Sequence, residues 1–313
     1  MTIQQIHYII AISETGSLNK AAEILYVSQP SLSGAVHELE KELGITIFHR
    51  SSKGVSLTNE GAELIVYARQ LYQQYEVLMD KFGKAETRKK KFGISTQHYS
   101  FAVKTFVEMV KRFGTQEYDF AIRETRTREV IDDVATLRSE IGVIYLSSFN
   151  NSVIKKILKT NGLSFHKLID CKTYVYVWNG HPLAKNEFIT HKELHDYPCL
   201  SFEQGGNSSF YFAEEIYSTN EYPQMIKVND RATMLNLMVG LHGYTLCSGI
   251  ICEELNGSDF SAVPYIDEND PDGVMRIGYI VRKDQIMSDM AKMYVEEMKD
   301  YLSKCVQIEN TDK

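Results

Sequence analysis

The chain lacks any uninterrupted apolar run near the roughly 18 residues a membrane helix needs, and its opening MTIQQIHYII carries polar residues and no cleavage pattern. Neither a membrane span nor a secretory leader is expected, which leaves a cytoplasmic protein. Cysteine is sparse: Cys171, Cys199, Cys247, Cys252 and Cys305 are odd in number, widely spaced and form no CxxC pair. That argues against a disulfide framework or a structural zinc site. No internal repeat or low-complexity tract is visible. Catalytic signatures are missing too, because Ser248 in CSGI has no G-x-S-x-G elbow around it and GGNSSF at 205–210 lacks the lysine of a phosphate loop. His191 and His195 stand four apart in THKELHDYP without a third ligand in sequence, so a surface helix is expected there and no metal. The expectation is a protein that is not an enzyme and carries no cofactor.

What is present is ordinary globular composition, 43% hydrophobic and 24% charged, in a chain of 313 residues. That length implies two or three compact units. The informative stretch is GSLNKAAEILYVSQPSLS at 16–33. Ser17 is placed to cap a helix through Ala21, Ala22, Ile24 and Leu25, and Ser28 to cap a second with Pro30 in its first turn. Only Tyr26 and Val27 remain between them, and the paired alanines permit a close crossing. In the second helix Leu32, Val36, Leu39 and Leu43 recur at spacings that stack them on one buried face. The opposite face carries Pro30, Gly34, His37, Glu38 and Lys41, with Gln29, Ser31 and Ser33 toward the leading end. This is the geometry by which a helix is presented to a DNA major groove.

Thr2 and Gln5 form a capping box ahead of Ile6, Ile9 and Ile10, which adds a third helix to the core. ITIFHRSSKGVSL at 45–57 reads as a hairpin that sets Arg50 and Lys53 on a Gly54 turn, a wing suited to phosphates or the minor groove. The run from Ile6 to Tyr67, with AAEILYVSQPSLSGAVHELEKELGITIFHR followed by LTNEGAEL, resembles the N-terminal domain of LysR-type transcriptional regulators. The match is nearly gapless over about a fifth of the chain. Two departures stand out. Gly34 replaces the long basic or amide residue many members carry, and Ala35 a frequent glutamine. Residues 1–58 also hold four Lys/Arg against five Asp/Glu, a net charge of −1 where phosphate neutralisation favours a positive sum. One domain alone is therefore expected to bind weakly, with oligomerisation supplying the rest. The DNA-contacting set is Ser17, Ser28, Gln29, Pro30, Ser31, Ser33, Gly34, His37, Arg50 and Lys53.

From Thr58 apolar residues recur at three and four for about 25 residues without proline, which reads as a dimerisation and linker helix roughly 40 Å long at 1.5 Å per residue. GKAETRKKK at 83–91 then reads as a solvated basic hinge. Beyond it strand-like runs (FGIST, YDFAIRET, IGVIYL, YVYVWN, CLSFEQ, YTLCSGI, IGYIVR) alternate with helical stretches at 101–113, 129–139, 191–194, 209–218, 230–241 and 288–303. Such alternation argues for parallel α/β sheets. The order resembles the effector domain of the same family, built like a periplasmic binding protein. The expected architecture is thus a multidomain α/β chain: a winged helix-turn-helix at 1–58, a linker helix and hinge at 59–90, an effector domain at 91–305 and a tail at 306–313. Its two α/β subdomains would span 91–165 with 270–305, and 166–269.

A cleft between such subdomains lies where helix N-termini offer free N–H groups to anions. Ser95, Thr96, Gln97 and His98 lead into the first helix and suit a carboxylate or phosphate. Carrying the family architecture over adds Thr125, Arg126, Tyr145, Ser201, Phe202, Gln204, Asp230 and Ser248. Arg123, Arg126 and Arg128 form an alternating basic row, of which one could meet an anionic effector. The donors at Ser95 to Gln97 favour a small polar or anionic effector, and the resemblance implies double-stranded DNA bearing an imperfect palindrome and self-association as a homodimer or homotetramer, with RNA polymerase left open as a further partner. Two other readings remain: a solute-binding module with no DNA-reading role, and a redox-sensing regulator, for which Cys171 beside Asp170 and Lys172 is the best-placed thiol.

Overall fold

The computed structural model describes residues 1–51, 54–82, 89–114, 117–205, 210–267, 273–283 and 285–311. Lys53, residues 83–88 of the hinge expected at 83–91, most of GGNSSF and the expected subdomain junction at 269/270 lie outside them, while Lys90 and Lys91, expected in that hinge, already belong to the strand Lys90–Thr96. The chain divides into two compact units, Met1–Thr87 and Arg88–Lys313. No described helix is long and apolar enough to cross a membrane.

The first unit holds helices α1 (Ile3–Thr15), α2 (Leu18–Ile24), α3 (Gln29–Leu43) and α4 (Asn59–Phe82), with strands β1 (Phe48–Ser51) and β2 (Gly54–Leu57) paired antiparallel. Each boundary follows from a local rule. Thr2 and Gln5 satisfy one another's backbone N–H groups in the expected capping box, and α1 ends on left-handed Gly16. Gly16 also accepts the Val55 N–H at 2.9 Å, which fastens the hairpin. The Glu40 carboxylate accepts the N–H groups of Ile47 (2.8 Å) and Phe48 (3.3 Å), tying α3 to β1. Thr58 caps α4 by accepting the Gly61 N–H at 2.8 Å. Gly61 is required by close approach, since a Cβ there would lie 2.1 Å from the Ile47 carbonyl oxygen. Ile65 and Ala68 of α4 belong to the core of this unit, so the helix expected from 59 as a linker is in its first half part of the winged domain.

In the second unit a five-stranded sheet runs in the order β4-β3-β5-β13-β6. Strand β3 (Lys90–Thr96) lies parallel to β4 (Tyr118–Glu124) and β5 (Ile141–Leu146). Strand β13 (Met275–Arg282) returns antiparallel to both β5 and β6 (Leu163–Cys171). Helices α5 (Ser100–Phe113), α6 (Thr127–Ala135), α7 (Asn151–Thr160) and α10 (Asp289–Thr311) accompany it. The remaining strands are β7 (Tyr174–Trp178), β8 (Ile189–Thr190), β9 (Cys199–Phe202), β10 (Met225–Val228), β11 (Thr245–Cys247) and β12 (Phe260–Ile266), with helices α8 (Arg231–Leu241) and α9 (Glu253–Asn256). They form a four-stranded sheet, β11-β7-β12-β8, and a parallel pair, β10-β9.

Several expectations change here. The sheets are mixed rather than parallel, because β7 pairs antiparallel with both β11 and β12 and β13 comes back reversed after the excursion through 172–274. The expected subdomain switch at 165/166 falls inside β6, which pairs with β13 along its whole length and stays in the first sheet to Cys171. Residues 306–311 continue α10 and are not a tail. Residues 191–194 form turns, held by Glu193 on the N–H and hydroxyl of Thr190, and of 209–218 only Phe210–Phe212 makes a short 3-10 turn. Leu43, expected on the buried face of α3, is 36% exposed because the helix ends there at left-handed Gly44.

Candidate functional site

In the first unit the exposed side of α3 is prepared by what lies behind it. Leu32, Val36 and Leu39 are buried against α1 and against Ala21 and Ala22 of α2. At about 25 cal/mol per Å2 of apolar area, that burial sets the angle between the two helices. The turn closes through Leu25 N–H on Ala21 and Val27 N–H on Ala22, both at 3.0 Å. Tyr26 takes a left-handed conformation (φ 54°) and is 96% exposed. The Ser17 hydroxyl caps α2 on Lys20 N–H at 3.4 Å, and the Ser28 hydroxyl caps α3 on Ser31 N–H at 3.2 Å while bonding the Ser31 hydroxyl at 2.7 Å. Those hydroxyls are therefore engaged in fixing helix starts. Pro30, Ser31, Gly34 and His37 are exposed and Gln29 and Ser33 half-buried. Arg50 reaches from β1 to donate to the Ser33 hydroxyl at 2.9 Å, which joins wing and helix into one polar surface. Nothing lies within 4 Å of a Cβ placed on Gly34, so the face is open at its middle.

The second unit holds a cavity lined by His98, Tyr99, Tyr176, Phe202, Glu214, Glu215, Arg231, Met234, Thr245, Ser248 and neighbouring apolar side chains. Of the twelve residues expected at an effector site, His98, Phe202 and Ser248 line it. Ser95, Thr96 and Gln97 are fully buried behind it. Ser95 bonds Asp133 (2.6 Å) and Ser139 (2.8 Å), the Thr96 hydroxyl donates to a backbone carbonyl, and the Gln97 amide oxygen accepts the Tyr145 N–H (3.0 Å) and Tyr99 hydroxyl (3.0 Å). The rest stand around the rim as struts. The Thr125 hydroxyl bonds Glu129, Arg126 donates to the Glu203 carbonyl at 3.1 Å, and the Tyr145 hydroxyl donates to the Glu215 carbonyl at 3.1 Å. Ser201 lies half-buried on β9, the Gln204 amide oxygen accepts the Thr127 N–H at 3.1 Å, and Asp230 caps α8 on Thr233. The arginine row is internally paired, Arg126 with Glu203 and Glu129, Arg128 with Asp132, and Arg123 with Ser139.

The charges facing the cavity form two pairs and one remainder. Glu214 accepts both the backbone N–H of His98 (2.8 Å) and its Nδ1 (2.9 Å), while the Gln204 amide donates to the other carboxylate oxygen at 2.9 Å. The His98 ring lies flat on Phe202, centroids 3.8 Å apart. Burial works to lower the His98 pKa, but the Glu214 hydrogen bond and charge outweigh it and the net shift is upward. Arg231 pairs with Glu124 at 3.0 Å, and burial still holds the Glu124 carboxyl above its ordinary range. Glu215 accepts the Phe202 N–H at 2.9 Å, and burial followed by the Glu214 charge pushes it up to about 8. The Glu214–Glu215 pair was not anticipated, although two acids inside the aromatic run FYFAEEIY are a signal of buried carboxylates.

Burial pushes Cys199 and Cys247 up to about 12, and Cys171 is buried on β6. Among the described residues no His, Cys, Asp and Glu cluster is arranged to hold a metal ion.

Residues 3–62 match the model for the bacterial regulatory helix-turn-helix protein, lysR family, and residues 98–303 match the LysR substrate binding domain. The chain is 25% identical over 290 residues to an uncharacterized HTH-type transcriptional regulator, YvbU, of Bacillus subtilis, covering 86% of this chain and 94% of that one. It is 23% identical to a hydrogen peroxide-inducible genes activator of Dickeya chrysanthemi over 66% of this chain and 65% of that protein. Among solved structures, a full-length OxyR variant from Pseudomonas aeruginosa shares the fold with a TM-score of 0.67 at 19% identity, over 96% of this chain and 94% of that one. The regulator CbnR matches with a TM-score of 0.55 at 17% identity, over 96% and 99%. The chain thus belongs to the LysR family of transcriptional regulators, with a helix-turn-helix that binds DNA and a substrate domain that binds effectors.

Proposed function

We propose that the protein acts in the cytoplasm, without covalent chemistry of its own, as a ligand-responsive switch on the DNA it binds. Two α3 helices of a dimer enter successive major grooves of an imperfect palindrome, with Gln29, Ser33 and His37 toward base edges and Arg50 and Lys53 toward phosphates. Ser17, Ser28, Pro30, Ser31 and Gly34 shape that surface. The observation that carries the reading is an α3 whose inner face is fully packed while its outer face keeps Gln29 and His37 outside any hydrogen bond among the described residues. Pairing through α4 is supported by Tyr67, Leu71 and Leu78, exposed at 60%, 40% and 55% on a stripe spaced by four and seven. Dimers then associate into a tetramer, which offsets the net charge of −1 at 1–58 by tethering several heads on one site. Contact with RNA polymerase would carry the signal onward.

A small polar molecule in the cavity around His98, Phe202 and Ser248, framed by Ser95 to Gln97, Thr125, Arg126, Tyr145, Ser201, Gln204 and Asp230, shifts the angle between the two sheets. It can do so only through differential affinity for the two arrangements. A gel-shift assay with DNA from upstream of the encoding gene tests the reading. A retarded band at low salt that weakens steeply as salt rises supports it. An intact oligomer that retards nothing leaves a ligand-binding module with no DNA-reading role.

A further inference from the structure

The N–H groups that an anionic effector would seek are already occupied by the chain itself. The Glu214 carboxylate sits on the His98 N–H and ring at the entrance to α5, and the Gln204 amide oxygen takes the Thr127 N–H that opens α6. The cations nearby are likewise committed, His98 to Glu214 and Arg231 to Glu124. Glu215 is the remainder: it lines the cavity, is 7% exposed, and among the described residues no cation pairs with it. Two further polar groups on the wall await a partner. Among the described residues the Thr245 hydroxyl, 6% exposed, makes no hydrogen bond, and the Tyr176 hydroxyl, 8% exposed with Asn256 near it, makes none that is well formed. Ser100, Ser248 and Asn256 add further polar atoms to the lining, and much of the remainder is apolar, with Phe202, Met234, Ile250 and Met275.

We infer that the cavity takes a small organic amine with an apolar body and rejects carboxylates and phosphates, Glu214 acting as a built-in anion. This rests on the reading of the second unit as an effector-binding domain. An ammonium group donates to the Glu215 carboxylate, whose proton, held there by burial at neutral pH, passes to solvent as the amine binds, and to the Thr245 and Tyr176 oxygens, while its carbon skeleton lies against Phe202 and the methionines. An entering anion would have to displace Glu214, and among the described lining residues it would find no uncommitted cation, His98 and Arg231 both being paired.

The test is calorimetric titration of the full chain at neutral pH with two carbon skeletons, phenethyl and n-butyl, each as amine, carboxylate and alcohol. The expected order is amine over alcohol over carboxylate on at least one skeleton. Glu215→Gln, isosteric with the protonated acid, should weaken the amine by about tenfold and leave the alcohol nearly unchanged. Thr245→Val should weaken amine and alcohol alike, a control that stays informative if the first variant folds poorly. Tighter binding of a carboxylate than of its amine overturns the proposal and leaves the effector-domain reading standing. No heat from any of the six compounds with a folded chain overturns both for this cavity.

Discussion

The two units expose their chemistry in opposite ways. At the start of α3 Ser28 and Ser31 are held by one another, three residues apart, and among the described residues the Gln29 and His37 side chains make no hydrogen bond. Around the cavity the polar groups are tied to one another across the chain, His98 to Glu214 at a separation of 116 residues and Arg231 to Glu124 at 107. An open surface with unused donors and acceptors suits a large partner that brings its own phosphates and base edges. A wall whose charges are already paired suits a small partner that must find the few groups left over. The difference also separates what local sequence rules can reveal from what only the assembled fold can.

The contrast breaks most visibly at Glu214. Replacing it with alanine strands the buried His98 ring and frees the Gln204 amide, and should lower the stability of the second unit by about 3 kcal/mol while leaving the first untouched. Denaturant unfolding followed by probes in each unit measures this; equal loss in both units would mean the pair is not local to the cavity.

The same region should respond to pH with a definite sign. Glu215 is raised from 4.5 to about 8 and His98 is raised from 6.5, so the folded state holds protons that the unfolded chain releases. Their stabilisation is complete below pH 4.5 for Glu215 and is lost as pH climbs toward about 8, while that of His98 begins to fall above 6.5. Thermal unfolding across this window should show the transition of the second unit falling, and Glu215→Gln should flatten that fall. A wild-type curve with the same slope as the variant would contradict the burial of that carboxyl.

Smaller effects belong to the open surface. Gln29→Ala should relax base preference at one position by about 2 kcal/mol with the fold unchanged, whereas Arg50→Ala should weaken all DNA alike and reduce the salt slope by about 1. Competition binding with single-base variants separates the two. Smallest is Gly34→Ala, which meets nothing within 4 Å and should stabilise α3 by about 0.5–1 kcal/mol, read as a modest rise in melting temperature.

The first unit was legible almost residue by residue, since Thr2, Ser17 and Ser28 cap the helices they were read to cap. The exception, Leu43, lies where a helix end escapes the packing its periodicity implies. The second unit was legible in its alternation and not in its pairing. Strand β6, LSFHKLIDC, hides its nature because an edge strand carrying Lys167 and Asp170 shows neither clean alternation nor a continuous apolar run. Helix α7 and strands β10 and β12 went unread for similar reasons, and strand direction depends on where the chain re-enters a sheet. Three of the residues expected at an effector site, His98, Phe202 and Ser248, line the cavity. Of its decisive groups, Glu214 and Arg231 acquire their meaning only from partners far along the chain, His98 and Glu124, and Glu215 and Thr245 only from the burial the fold imposes.

The central claim is that α3 reads DNA as a pair of heads, and a nuclease footprint of the full-length protein on the region upstream of its gene tests it most directly. Two protected half-sites about one helical turn apart, both lost in the Gln29→Ala, Arg50→Ala double variant, are the predicted result. Uniform cleavage at low salt by an intact, folded oligomer would contradict it.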